Sequence, residues 1–447
     1  MHICAFTQCS PCPQAKGQWR NPRDRSSPGY RDVQYWLEIA RTLDRGLVDA
    51  LFFADIHGVY DVYGGSMDAG VRHAVQFPGN DPSVLLPLLA NATSGLGFVI
   101  THSISYYAPF HTAKLFSSLD HFTGGRVGWN IVTSYLDSAY RNGLGGEPRS
   151  HDERYDQADE FMEVVGKLWE KSWEEDAVIR DAEADIHTDP SRVHKIHHEG
   201  EHYRVEGPHM CEPSPQRTPF LLQAGTSPRG IAFAARHAEA MFVTLGGRSH
   251  PRRTKEAVVE ATEVAGRAPE SVKLLSGLSL VVGETEAEAQ AKHEQLRAHG
   301  SPEGAFALFG GWSGVDLAPY AKTDRIQDFT SSGIQSVGGL LSKLAGPGGT
   351  FGDLAENVRL GGMQRVIVGS PAQVVDRMEK MVEDAGIDGF NILPNVQPGG
   401  FDDLVDLVIP ELQRRGRFRK AYEGTTLRER FAGSGRPHLP EDHPSRR

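Results

Sequence analysis

The chain has 447 residues, of which 39% are hydrophobic and 23% charged, and its formal net charge is −11 at pH 7. This composition is typical of a soluble globular protein, and the acidic balance argues against nucleic-acid and anionic-membrane partners. No apolar run reaches the roughly 18 residues that a transmembrane helix needs. Residues 3–6 are apolar without a basic segment before a long apolar stretch, so we expect no signal peptide and a cytoplasmic protein.

Short apolar runs alternate with helix-like segments along the chain. The first strand covers residues 3–6, and further strands are predicted at 48–54, 96–100, 126–132, 220–224, 240–243, 274–282 and 389–393. Helices are predicted at 33–43, from about 82 with Asp81 as N-cap, at 110–119 and at 371–385. This alternation of strands and helices favours parallel pairing through right-handed crossovers.

The number of strand–helix units is close to eight. A doubly wound sheet is the competing fold, but no Gly-x-Gly-x-x-Gly opens a helix after the first strand. Polar residues instead recur at the carboxyl ends of predicted strands, namely Asp55, Thr101, Asn130, Thr133 and Gln223. In a barrel these ends converge on one face, where active sites form. We therefore predict an α/β fold, a (β/α)8 TIM barrel with insertions.

Two stretches break the alternation. Residues 174–219 are polar and rich in His and Pro, with a run at 202–205 that suits one arm of a hairpin, and residues 299–360 are rich in Gly and Ser. Long insertions of this kind are often binding loops or lids, and 299–360 is the candidate lid. We expect residues 1–418 to form a single barrel domain and residues 419–447 a charged tail that wraps the surface or a partner subunit.

Two groups of residues resemble metal sites. Cys9 and Cys12 form a C-x-x-C pair, and several histidines crowd residues 187–209. A structural zinc site needs a second pair at matching spacing, which Cys211 alone does not supply. The histidine spacings do not repeat either. We predict loop thiols and surface histidines, and no metal site.

Two local patterns suit an anion. His151 and Tyr155 stand four residues apart on one face of a strongly periodic helix, and both side chains can donate hydrogen bonds. Ala224, Gly225, Thr226 and Ser227 follow a predicted strand and lead into a helix with Pro228 at its first position. Free N–H groups at such a helix start bind phosphate well. An ordinary capped loop explains the second pattern equally, but the two together favour phosphate binding.

Several longer motifs carry a resemblance to a known family. They are residues 53–55, 58–63, 118–121, 125–134 (GRVGWNIVTS), 151–155 (HDERY) and 214–219 (SPQRTP). With them the chain resembles the bacterial-luciferase-like flavin monooxygenases over essentially its whole length. The resemblance is to the nitrilotriacetate, EDTA and dibenzothiophene-sulfone monooxygenase subgroup, which includes long-chain alkane monooxygenases.

The resemblance implies an FMNH2-dependent two-component monooxygenase. A separate NAD(P)H:flavin reductase would supply reduced FMN, O2 would form a peroxyflavin, and one oxygen atom would enter a small or medium organic substrate. Family motifs place Asp55 and Thr101 beside the isoalloxazine with Ser134 and Tyr135 nearby. His151, Tyr155 and residues 224–227 would hold the phosphate. Homodimers or homotetramers are usual in the family.

The substrate side departs from the alkane-oxidising members. Those enzymes have polar cysteine or histidine residues where this chain has Ser10, Pro13, Tyr135 and Leu308, whereas Tyr60 and Gln76 match positions of importance. Either these loop positions drift freely, or the pocket is reshaped for an aromatic or heteroatom-containing substrate by Cys9, Cys12, Tyr106, Tyr107 and Trp312. We take Tyr60, Gln76, Tyr135 and Trp312 as candidate catalytic residues. A deazaflavin-dependent hydride-transfer enzyme of the same fold and a non-catalytic flavin-binding protein remain alternatives.

Overall fold

Eight parallel strands close into a barrel in the computed structural model, which describes residues 1–11, 14–143, 149–243, 251–326, 341–342, 344–360 and 365–447. Each strand pairs with its neighbours in chain order, and the last pairs back with the first. The predicted TIM barrel is confirmed. The strands are β1 (His2–Gln8), β2 (Ala50–Ala54), β3 (Gly97–Ser103), β4 (Val127–Val132), β5 (Phe220–Gln223), β6 (Ala240–Val243), β7 (Lys273–Val282) and β8 (Gly389–Ile392).

Helices surround the barrel between successive strands. In chain order they are α1 (Val33–Arg45), α2 (Leu86–Asn91), α3 (Pro109–Thr123), α4 (His151–Glu170), α5 (Pro228–His237), α6 (Pro251–Val264) and α7 (Pro371–Ala385). After β8 the eighth helical element runs through Gly399–Asp403, the π-helical Leu404–Val408 and Ile409–Arg414. Shorter or inserted helices are Ser26–Gly29, Asp68–Arg72, Asp137–Arg141, Glu286–His299, Pro302–Ser313, Phe351–Asn357 and Leu427–Ala432. Within the described residues, no helix is long and apolar enough to cross a bilayer.

Local sequence explains where the main helices begin. Asp32 accepts a hydrogen bond from the backbone N–H of Gln34 at the start of α1. Asp81 caps a 3-10 turn, Pro82–Val84, rather than α2 itself, which begins at Leu86. Ser150 and Glu153 form a reciprocal capping box at the start of α4. Such caps satisfy N–H groups that would otherwise lack partners.

Strand alternation divides the core into two layers. Outward residues such as Ile3 and Phe53 pack against the helices, while inward residues such as Cys4, Phe6 and Phe52 fill the barrel. The interior is therefore a packed core rather than a pore, and space for a ligand remains beyond the carboxyl ends of the strands.

The two predicted insertions contain secondary structure of their own. Between α4 and β5, Val178–Asp181 pairs with Ile186–Thr188, and His198–Glu199 pairs with Arg204–Val205. The run at 202–205 therefore enters a hairpin over its second half. Shortly after the second insertion, Arg365–Gly369 forms a strand that was not predicted. It extends the sheet by pairing with the carboxyl-terminal half of β7. Part of the candidate lid, residues 327–340, lies outside the described residues.

The tail folds back over the amino-terminal end of the barrel. Its helix Leu427–Ala432 inserts Leu427 and Phe431 into the interior core, and the Phe431 ring stacks on His2 and Phe220. The bounds of the barrel domain and the tail stay a prediction, but this packing makes residues 427–432 part of the barrel core.

Candidate active site

A cavity of about 510 Å³ opens at the carboxyl ends of the strands. A second chamber of about 500 Å³ adjoins it, and the two share six wall residues: Gln8, Ala54, Asp55, Ile56, His57 and Gln76. A wider groove of about 890 Å³ lies at the opposite end, between α2, α3 and the tail. We place the site at the carboxyl end because the polar strand-end residues converge there.

Five amide side chains in the cavity wall have buried carbonyl oxygens without a hydrogen-bond partner in the structure. They are Gln8, Gln14, Asn130, Gln223 and Asn391. For Asn130 the orientation is determined by Thr101, whose hydroxyl oxygen accepts from the Asn130 amide at 2.9 Å. Because buried polar atoms are nearly always paired, these oxygens fit a ligand that presents several N–H donors. The ring system of a reduced flavin is such a ligand.

Asp55 brings a carboxyl group to the boundary between the two chambers. One of its oxygens accepts from the backbone N–H of Ile56 at 2.9 Å, and no described residue forms an ion pair with it. Burial, with a further contribution from the charge of Asp81, raises the pKa of Asp55 to about 7. The carboxyl group can therefore hold or release a proton near neutral pH.

Tyr60 links three of the candidate catalytic residues. Its hydroxyl donates to Gln76 Oε1 at 2.8 Å and lies 2.9 Å from the hydroxyl of Tyr135, and Trp312 also hydrogen-bonds to it. Burial raises the pKa of Tyr60 to about 12, so the phenol remains protonated. Gln76 and Ser134 have positive φ angles of 55° and 53°. Non-glycine residues in this conformation often mark functional sites, because the surrounding structure must impose it.

A polar seat forms where the first turns of α4 and α5 meet. The Ser227 hydroxyl caps α5 by accepting from Gly230 N, and it lies 3.3 Å from His151 Nε2. The Tyr155 hydroxyl accepts from the Gln223 amide at 3.2 Å. Glycine at position 225 leaves room for the Tyr155 hydroxyl and the Gln223 amide, because a Cβ there would come within 2.4 Å of both groups and displace them. We call His151, Tyr155, Gly225 and Ser227 the anion seat.

The comparison with known proteins agrees with this geometry. The family model described as "Luciferase-like monooxygenase" matches residues 15–389. The chain belongs to the luciferase-like monooxygenase family. It is 44% identical to the long-chain alkane monooxygenase of Geobacillus thermodenitrificans (strain NG80-2) over 445 residues, covering 99% of this chain and 96% of that one.

Two further relatives also align with this luciferase-like monooxygenase over nearly its whole length. Identity is 40% over 444 residues with the dimethyl-sulfide monooxygenase of Hyphomicrobium sulfonivorans, covering 99% of this chain and 92% of that one. A solved structure of riboflavin lyase with modified FMN and riboflavin superposes with a TM-score of 0.89 at 34% identity, covering 100% and 98% of the two chains. We conclude that the protein is a flavin-dependent monooxygenase.

Most predicted site residues of this luciferase-like monooxygenase lie together. Those that line the cavity are Asp55, Gln76, Thr101, Ser134, Tyr135, His151, Tyr155, Ala224, Gly225 and Trp312. Tyr60 lies behind the wall, and Ser227 adjoins His151 at the rim, whereas Thr226 is exposed beside it. Their individual roles stay predictions. Cys12 and Pro13 lie outside the described residues, and the described part contains no cluster of three metal-ligating side chains.

Sequence reasoning missed several polar wall residues and left two unassigned. Gln8, Gln14, Asn391 and Arg154 were given no role, while Asn130 and Gln223 were noted as strand-end residues without a role. Gln8 and Asn391 carry a readable signal, because Gln8 ends the first strand after its apolar run and Asn391 is the one polar residue of Gly389–Ile392. Arg154 carries none, since a charged residue in the first turn of a helix is ordinary.

Proposed function

We propose that this luciferase-like monooxygenase is the oxygenating component of a two-component system that uses reduced FMN and O2. The observation that carries the proposal is the cavity itself, where unpaired amide oxygens and the anion seat converge. The riboflavin lyase structure supports the cofactor, because a similar chain binds modified FMN. A separate NAD(P)H:flavin reductase is the proposed partner, and a homodimer or homotetramer in the cytoplasm stays the expectation.

The residues present fit FMN along the whole length of the molecule. Asn130, Gln223 and Asn391 would accept hydrogen bonds from the isoalloxazine, with Asp55 and Thr101 at its edge. The anion seat would hold the phosphate. When bound, reduced FMN supplies the electrons that activate O2, so that one oxygen atom enters the substrate and the other leaves as water.

The protein's own contribution is to orient the substrate and to exclude water from the reacting centre. Tyr60 and Trp312 are positioned to orient Gln76 and Tyr135 toward a substrate in the adjoining chamber. That chamber is partly polar, with His57 Nε2 2.7 Å from the Tyr107 hydroxyl and an unpaired buried hydroxyl on Ser10. These contacts favour a heteroatom-containing or aromatic substrate over a long alkane.

An anaerobic titration tests this proposal. Reduced FMN and a reduced deazaflavin are each added to the protein without oxygen, and oxygen is then admitted while the flavin absorbance is followed. We expect preferential binding of reduced FMN and a transient, oxygen-dependent absorbance change. Preference for the deazaflavin would favour hydride transfer instead. FMN binding with no oxygen-dependent intermediate would favour a non-catalytic flavin binder.

A further inference from the structure

Two arginines, Arg154 and Arg229, flank the anion seat, and they differ in whether a carboxylate pairs with them. Arg229 is two residues past the Ser227 cap in α5, where its Nη2 donates to Asp156 Oδ1 at 2.9 Å and to Asp159 Oδ2 at 2.6 Å. Both carboxylates belong to α4, so this contact joins the two helices. The positive charge of Arg229 is therefore already balanced and contributes little to an incoming anion.

His151 is also engaged. Its Nδ1 lies 2.7 Å from Asp152 Oδ1, and its Nε2 faces the Ser227 hydroxyl. The imidazole can donate a hydrogen bond within the seat, and the neighbouring Asp152 carboxylate adds negative charge there. A phosphate monoester carries about −1.5 to −2 charges near pH 7, so hydrogen bonds alone leave the seat short of positive charge.

Among the described residues that border the seat, Arg154 is the cation without a carboxylate partner. It lies between His151 and Tyr155 in the first turn of α4 and lines the cavity. Its Nε is buried without a hydrogen-bond partner, and among the described residues no carboxylate forms an ion pair with its guanidinium. Its charge opposes the effect of burial on the pKa of both Tyr106 and Tyr155, so it lies close to both phenols. Arg154 is half-buried, so the rest of its guanidinium can reach a ligand in the cavity, and the buried Nε lacks a partner that an anion could provide.

We propose that Arg154 is the counter-ion of the FMN phosphate, whereas Arg229 only holds α4 and α5 together. This inference rests on the proposed function, since it names a residue of the same cofactor site. The planar guanidinium presents several N–H donors in a fork that matches phosphate oxygens. The same residue would therefore distinguish FMN from riboflavin, which has the same ring system and no phosphate.

The test compares the affinities of reduced FMN and reduced riboflavin for Arg154→Met, Arg154→Lys and the parent protein. We expect Arg154→Met to weaken FMN binding about 10- to 150-fold, the range of a lost charge-assisted contact, and to change riboflavin binding less than about twofold. Arg154→Lys keeps the positive charge without the forked donors, so its affinity for reduced FMN should lie between those of the parent protein and Arg154→Met. Added salt should weaken FMN binding in the parent and have less effect on Arg154→Met.

Arg149→Met is the matched control. Arg149 precedes the same helix, but its guanidinium faces outward, 3.5 Å from His202 Nδ1 in the insertion. Removing its charge should leave the preference for FMN over riboflavin intact. A similar loss of preference in this control would mean that the preference depends on the general positive charge around the start of α4. That result overturns the assignment to Arg154.

The remaining outcomes also decide the question. Unchanged FMN affinity in both Arg154 variants overturns the proposal, and so does an equal loss for FMN and riboflavin, which would mean a role in the cavity wall. Arg154→Lys keeps the test decisive if Arg154→Met does not fold. A parent protein that binds neither reduced flavin refutes the proposed function itself, whereas a parent that binds FMN with Arg154 dispensable refutes the counter-ion alone.

Discussion

Two sets of buried polar groups, one at each end of the barrel, differ in how they are paired. At the amino-terminal end, Arg428 is fully buried, and its guanidinium donates to both oxygens of Glu239 and to four backbone carbonyls: those of Gln216, Thr218, Pro219 and Pro437. At the carboxyl end, five buried amide oxygens and the Nε of Arg154 have no partner. A fully paired network stabilises a fold, whereas unpaired groups cost free energy unless a ligand completes them.

Two buried aspartates repeat this contrast. Burial alone would raise the pKa of Asp49, near the amino-terminal end, but Arg419 and His2 outweigh it and lower the pKa to about 2. Asp55, at the carboxyl end, has no such partner, and burial raises its pKa to about 7. The Arg428 network and Asp49 therefore stabilise the fold, whereas the unpaired groups of the cavity wall and Asp55 suit a ligand, at some cost in stability.

The largest effect is expected at the amino-terminal end. Arg428→Met leaves the Glu239 carboxylate buried and unpaired, so we expect the free energy of unfolding to fall by about 3 to 5 kcal/mol. Denaturant unfolding of the flavin-free parent and variant measures this change in the free energy of unfolding. Arg414→Met is the control, because Arg414 pairs with Glu411 on the surface and should change stability by no more than about 1 kcal/mol. A loss below about 1 kcal/mol for Arg428→Met would contradict the comparison.

The two aspartates should respond to substitution with opposite signs. The folded state holds a proton on Asp55 up to pH 7 but the unfolded state releases it near 3.8, so stability falls as pH rises between these values. Asp55→Asn should therefore raise the free energy of unfolding at pH 8 by about 2 to 4 kcal/mol. Asp49→Asn should lower it at pH 7 by about 2 kcal/mol, a contribution the parent loses as pH falls from about 4 to 2.

Unfolding curves of both variants at pH 4 and pH 8, without flavin, provide the measurement. At pH 4 the stabilising effect of Asp55→Asn should nearly vanish, because the parent carboxyl is then protonated in the folded state. Destabilisation by Asp55→Asn at pH 8 would mean that the carboxylate has a partner in the folded protein, contrary to the contrast between the two ends.

At the anion seat the expected effect is on binding rather than stability. Tyr155→Phe and Ser227→Ala each remove one donor, so reduced FMN binding should weaken by about 1.5 to 3 kcal/mol. Thermal stability should change less than binding for Tyr155→Phe, because the ring stays in place and its hydroxyl loses only hydrogen bonds with Gln223 and Thr133. Unchanged FMN affinity in both variants would remove the seat from the proposed site.

The smallest effect concerns the contact between α4 and α5. Asp159 accepts from Arg229 and from His237 Nε2, both at 2.6 Å, so Asp159→Asn should loosen the seat and weaken FMN binding by about 1 kcal/mol. Glu160→Gln is the matched control, because Glu160 instead accepts from the backbone of His202 and Tyr203 in the insertion. Equal losses in both variants would point to a general effect on α4 rather than on the seat.

Short-range sequence patterns determined the architecture and half of the site. Alternating apolar runs and capped helices predicted the strands and helices, since strand and helix periods and caps are local properties, and the polar strand ends favoured a barrel over a doubly wound sheet. Asp55 and Gln223 were visible because each follows or ends an apolar strand, and barrel topology brings such ends together. The strand Arg365–Gly369 was not predicted. It lies outside the barrel and pairs only with the carboxyl-terminal half of β7.

Only the tertiary structure decided which polar groups are paired. Gln8 and Asn391 are almost 400 residues apart, and nothing in either strand tells that both amide oxygens face one cavity. Arg229 and Arg154 are equally charged in the sequence, yet in the part of the chain that the structure describes the first meets two carboxylates and the second meets none. Hydrogen bonding and ion pairing depend on distances across the fold, whereas helix and strand formation depends on neighbours along the chain, and this difference separates what could be predicted from what could not.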